Sequence, residues 1–142
     1  MLKILRSIMK KNSFEIVSVD ANVILRLILT DNEALSGEAK KIFEGGRSGK
    51  YKIYIDEVVL AECVWVLTRF YKKKREEISQ VLSKILSFEY MANPSGEWVK
   101  ESLSIYKATN LSFADCWLMV LSKNQGFKME TFDLKLKKVA TR

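Results

Sequence analysis

Histidine is absent from the 142 residues, and this absence excludes more chemistry than any other feature of the composition. Ser-His-Asp and Cys-His catalysis, HExxH zinc sites and histidine pH switches all need an imidazole. Cysteine is scarce as well. Cys63 and Cys116 are too few for a structural zinc site, and two thiols without a signal peptide fit a reducing compartment, the cytoplasm. Both read as small buried apolar residues. No apolar run approaches the roughly 18 residues of a membrane span, because Arg26 interrupts Val23–Leu29 and Glu62 interrupts Val58–Leu67. Proline occurs once, at Pro94, and there is no internal repeat, low-complexity segment or linker to divide the chain.

What is present is a basic body of one-domain length. Lysine and arginine number 24 against 17 acids, a net charge of +7 that favours polyanionic partners. With 48% apolar residues, one real core is feasible. Residues 1–13 interleave Leu2, Ile4, Leu5 and Ile8 with Lys3, Arg6 and Lys10, the pattern of a short basic amphipathic extension. From Phe14 to the end, residues 14–142, strands and helices alternate as one domain.

The β-branched run Glu15–Val19 is read as strand one, ending at Asp20. A helix is expected over Ala21–Thr30, and a second from Glu33, capped by Asn32 and stopped by Gly45-Gly46. Strand two is Tyr51–Ile55, followed by a long apolar helix capped by Asp56 and running through Tyr71, which Lys72–Arg75 closes. Further helices are expected over Glu76–Ser87, Ser95–Thr109 and from Ser112 to just before Gly126. Strands three and four fall at Phe88–Ala92 and Lys128–Phe132, and Leu134–Arg142 is a short basic tail. This grammar implies a three-layer α/β/α fold with a central parallel sheet of four to five strands. Sites in such folds lie beyond the carboxyl ends of the strands.

Asp20 and Asp133 follow strands one and four, although an aspartate there also suits a helix cap or turn. Glu62 has Val58, Val59, Trp65 and Val66 as its helical neighbours, an apolar stripe in which a carboxylate needs a partner or a metal. Asp115 stands three residues after Ser112, a capping-box spacing that also suits a rigidly held ligand. Four carboxylates drawn together without a cationic partner point to hard divalent cations, Mg²⁺ or Mn²⁺, and to phosphodiester hydrolysis. Setting those four aside leaves 24 cations against 13 acids, a body of +11 suited to a nucleic-acid backbone. The clusters Lys72–Arg75 and Lys135, Lys137, Lys138 read as solvated faces, and Trp65, Trp98 and Trp117 as core or dimer-interface residues.

Val19-Asp20-Ala21-Asn22-Val23-Ile24-Leu25-Arg26, then Ala61-Glu62-Cys63-Val64-Trp65-Val66-Leu67, Phe113-Ala114-Asp115 and Thr131-Phe132-Asp133 together resemble the PIN-domain nucleases. The likeness is greatest to the VapC-like toxins of prokaryotic toxin–antitoxin pairs. It implies a catalytic quartet of Asp20, Glu62, Asp115 and Asp133, with Asp20, Asp115 and Asp133 as metal ligands. Asn22 and Thr131 would support the first and last acids. It further implies a dimeric endoribonuclease whose site a cognate antitoxin occupies. Some members carry another acid one turn after the third, where this chain has Leu118 and Met119. Two rival readings are a non-catalytic RNA-binding PIN domain and a phosphatase with Asp20 as nucleophile. The second wants an acid where Asn22 stands.

Overall fold

A computed structural model describes residues 2–5 and 15–141. The elements run β1 (Ile16–Ser18), α1 (Ala21–Ile28), α2 (Glu33–Arg47), β2 (Lys52–Tyr54), α3 (Glu57–Arg69), α4 (Arg75–Leu86), α5 (Gly96–Ala108), α6 (Phe113–Gln125) and α7 (Leu134–Ala140). They cluster into two compact units. One comprises the chain up to Asp56 with Phe88–Asn93, and the other Glu57–Ser87 with the chain from Pro94 onward. Of the N-terminal extension, residues 2–5 are helical and exposed, and the rest lies outside the described residues.

In the first unit β1 and β2 pair in parallel, with Val17 opposite Ile53. Parallel neighbours need a long crossover, which α1 and α2 supply. Strand three is not the continuous strand expected over Phe88–Ala92. It shrinks to one parallel bridge between Ile53 and Met91, closed by Ile53 N–H to Tyr90 O at 2.9 Å and Ala92 N–H to Ile53 O at 2.7 Å. The next rung is made by a side chain. Asn93 donates its amide to Ile55 O at 2.6 Å and accepts from Ile55 N–H at 3.2 Å, so backbone pairing has nothing left to extend.

Asn32 caps α2, accepting from Leu35 N–H at 3.1 Å. The glycine pair does not stop this helix as expected, since α2 continues through both to Arg47. Packing is the reason. A Cβ on Gly46 would lie 2.6 Å from Tyr90 Cδ2, and one on Gly45 would strike the Tyr51 ring, so the glycines admit two aromatic rings against the helix. The left-handed turn falls later, at Gly49 with φ 84°.

The second unit is helical. Leu60, Leu67, Ile78, Leu82, Val99 and Leu103 form its interior with Cys63 and Cys116, which are in no disulfide and are buried as expected. α4 and α5 run antiparallel, with Ser79 Oγ donating to Leu103 O at 2.9 Å. α3 ends at Arg69, two residues short of the expected Tyr71, and Arg75 opens α4 where it was expected to help close the preceding helix. α6 begins after Ser112 and stops at Gly126, whose φ of 69° completes the left-handed cap. Lys128–Phe132 forms no strand, and Phe132 is fully exposed. The basic tail is instead helical, as α7. Among the described residues the sheet therefore holds two strands and one bridge, against the four to five expected. No helix of the described residues is long and apolar enough to cross a membrane.

Candidate active site

Asp20 is the N-cap of α1. Its Oδ1 accepts from Val23 N–H at 3.1 Å, which fixes the side chain and leaves Oδ2 toward solvent. Asn22, two residues on, makes no hydrogen bond to Asp20 among the described residues. It lines a cleft of about 330 Å³ between α1 and α2, with Arg26 and Glu38. Arg26 is already paired with Asp31 at 3.1 Å.

Asp133 repeats the first arrangement at α7. Its Oδ1 accepts from Lys135 N–H at 2.8 Å and Leu136 N–H at 3.2 Å, and its own N–H donates to Thr131 Oγ1 at 3.1 Å. Thr131 thus meets Asp133 at its backbone and not at its carboxylate. Asp133 follows no strand, so it is held by the capping bonds and by Thr131.

Asp115 is half-buried in the first turn of α6, where its N–H donates to Ser112 Oγ at 3.1 Å. The reciprocal half of a capping box is not made. Among the described residues the Asp115 carboxylate has no hydrogen-bond partner, so the helix start holds its backbone and leaves both oxygens available.

Glu62 departs from expectation. It is exposed on α3, because Val58 and Trp65 beside it are themselves 76% and 55% exposed, and the stripe that packs inward is Leu60, Cys63, Val64 and Leu67. No apolar burial forces Glu62 to find a partner. Trp65, expected in a core or dimer interface, meets Phe70 edge to face at 5.5 Å on this exposed flank.

Asp20 belongs to the first unit and Glu62, Asp115 and Asp133 to the second. Among the described residues no group of three or more histidine, cysteine, aspartate or glutamate side chains is gathered closely enough to hold a metal ion. The donor chemistry nevertheless suits a hard divalent cation, since every candidate is a carboxylate and the three aspartates each keep at least one oxygen free of the backbone.

One residue was missed by the sequence reading. Arg75 donates Nε to Tyr106 O at 2.7 Å and Nη2 to Leu111 O, and its guanidinium lies 3.6 Å from the Tyr106 ring centroid. It thereby pins the junction from which Ser112 and Asp115 start α6. The available signal was an arginine in a helix's first turn, where the dipole disfavours a cation and some other contact must compensate. Beside it, burial pushes the Cys116 thiol up, against a weaker downward pull from its Thr109 hydrogen bond.

The PIN domain family matches residues 17–142, which include all four acids and both supporting residues. The chain belongs to the PIN domain family. A VapC ribonuclease of Aquifex aeolicus (strain VF5) is 30% identical over 112 residues, covering 74% of this chain and 83% of that protein. No solved structure matches. As a PIN domain the chain has an α/β fold, and the parallel β1–β2 pair with its helical crossover is the part of that fold the described residues display.

Proposed function

We propose that this PIN domain is a VapC-like endoribonuclease toxin that hydrolyses RNA phosphodiester bonds with Mg²⁺ or Mn²⁺. The observation that carries the reading is the treatment of the aspartates. Asp20 and Asp133 each spend one oxygen on helix amides, and Asp115 is fixed through its backbone, so free carboxylate oxygens are presented on rigid supports. Asp20, Asp115 and Asp133 would hold the cation, and Glu62, exposed and unpaired among the described residues, would act on the attacking water. A bound cation supplies Lewis acidity toward the phosphate and lowers the pKa of water, a role no histidine here can take.

On this reading residues 14–142 work as one domain in the cytoplasm, as a homodimer neutralised by a cognate antitoxin. An antitoxin arginine or lysine at the carboxylates would relieve the same repulsion as a metal.

Incubation with total RNA and Mn²⁺, followed by sequencing of the new ends, tests the activity. Discrete cleavage leaving 5′-phosphates, abolished by excess EDTA, is expected. Undiminished cleavage in EDTA overturns the metal dependence. RNA binding without cleavage in any divalent cation favours the non-catalytic alternative. Inhibition by a co-purifying small protein is the expected sign of the antitoxin.

A further inference from the structure

A cleft of about 480 Å³ runs between α4 and α5, lined by Lys84, Lys100 and Lys107, with the hydroxyls of Ser83 and Ser104 and the single acid Glu76. The helices are antiparallel, with Arg75 against Tyr106 and Ser79 against Leu103, so the three cations are spread along the cleft. Lys107 stands near the start of α4, and Lys84 and Lys100 near its finish. Lys100 and Lys107 are seven residues apart, about 10 Å along the helix axis. That matches a Debye length of about 8–10 Å at physiological salt, so a polyanion in the cleft would feel the cations jointly.

Helix-dipole compensation accounts for Lys84 and Lys107, each in the last turn of its helix. It does not account for Lys100, which lies in the first half of α5, where the dipole opposes it. Its bond to Glu97 at 2.7 Å is to a carboxylate 86% exposed, a pair that a bound phosphate can displace at little cost. The lining contains no aromatic side chain, so the cleft offers charge and hydroxyl donors without a stacking platform. Such a surface contacts phosphates and leaves the bases unread. The Lys107 end lies two residues before Thr109, at the junction that opens α6 and carries Asp115.

We propose that the α4–α5 cleft holds the phosphodiester backbone of single-stranded RNA flanking the bond to be cut. The assignment rests on the ribonuclease reading above and adds to it a path for the strand.

The test is fluorescence anisotropy with a labelled 30-nucleotide single-stranded RNA in EDTA, over a range of salt, so that cleavage plays no part. The triple variant Lys84→Gln, Lys100→Gln and Lys107→Gln is expected to bind roughly tenfold more weakly and to flatten the slope of log K against log salt by about 2, three contacts at about 0.7 each. The matching Lys→Arg triple, which keeps the charge, should retain the original slope and controls for folding. Removing three exposed lysines elsewhere, Lys40→Gln, Lys41→Gln and Lys50→Gln, should change the slope by less than about 0.5. Equal losses from the two Gln triples, or no loss from the first, overturn the cleft while leaving the ribonuclease reading intact. A first triple that keeps RNA but loses binding to a labelled oligoglutamate makes the cleft a protein site and also overturns the proposal. Failure of the unaltered protein to bind RNA instead overturns the ribonuclease reading, and the cleft with it.

Discussion

Asp115 shows how one residue can stand at a helix start without being its cap. Ser112 Oγ receives the Asp115 N–H, so the capping energy resides in Ser112, and the Asp115 carboxylate adds only its charge at the positive end of α6. Ser112→Ala should therefore cost about 1 kcal/mol, whereas Asp115→Asn should change stability by no more than about 0.5 kcal/mol. Cleavage should respond in the opposite order. Asp115→Asn is expected to lose at least the roughly 10–100-fold that follows loss of a metal ligand's outer partner. Urea unfolding beside cleavage rates reads both, and an active but destabilised Asp115→Asn protein would remove Asp115 from the quartet. The neighbouring thiol makes a second residue-level prediction. Burial holds the Cys116 thiol above its unfolded value, so its contribution to stability is fully present below about pH 8.5 and is lost as pH rises through the folded pKa. The urea midpoint should hold between pH 7 and 8 and fall above about pH 9. Cys116→Ala should flatten that fall, leaving the part due to the Tyr90 phenol, which burial also raises.

Between elements, Arg75 ties α4 to the end of α5 and to the junction that leads into α6. A single guanidinium on α4 engages the carbonyl and ring of Tyr106 in the last turn of α5 and the carbonyl of Leu111 on the segment leading to α6. Arg75→Met should cost about 2–3 kcal/mol, since charged hydrogen bonds to buried carbonyls are lost. Arg75→Lys should recover only part, because an ammonium cannot span both acceptors in a fork. Amide hydrogen exchange should quicken at Leu111–Asp115 in both variants, and unchanged protection there would show that the junction is held by other contacts. Elements of this kind set the limit of what the sequence could tell. Helices closed by local chemistry were legible: Asn32 and Ser112 as caps and Gly126 as a stop act within four residues of their partners. Features decided across the fold were not. Gly45-Gly46 looks like a terminator until Tyr51 and Tyr90 are seen against the helix, and Phe88–Ala92 looks like a strand until Asn93 takes over the ladder. The site divides the same way. That Asp20 and Asp133 could cap helices was legible from their places in the chain, while the exposure of Glu62 depends on which face of α3 packs inward, and its apolar neighbours pointed the wrong way.

For the molecule as a whole, a cation that binds the native chain and not the unfolded one must raise stability by an amount its concentration sets. At a metal concentration one hundred times Kd the gain is about 2.7 kcal/mol, which for a chain of this length is on the order of 10 °C in Tm. The assigned roles divide the four acids under this measurement. Asp20→Asn, Asp115→Asn and Asp133→Asn should each lose most of the Mn²⁺-induced rise. Glu62→Gln should keep it while losing cleavage, because the proposed role of Glu62 is on the water and not on the metal. Asp20 and Asp133 also cap helices, so their metal-free stability should fall by some tenths of a kcal/mol up to about 1 kcal/mol, as asparagine retains part of the capping. The rise is therefore measured within each variant, with Mn²⁺ against EDTA, where the capping loss cancels. A Glu62→Gln protein that loses the rise moves Glu62 into the ligand set. A rise that survives in all three aspartate variants means that the cation binds elsewhere, whatever the cleavage assay shows.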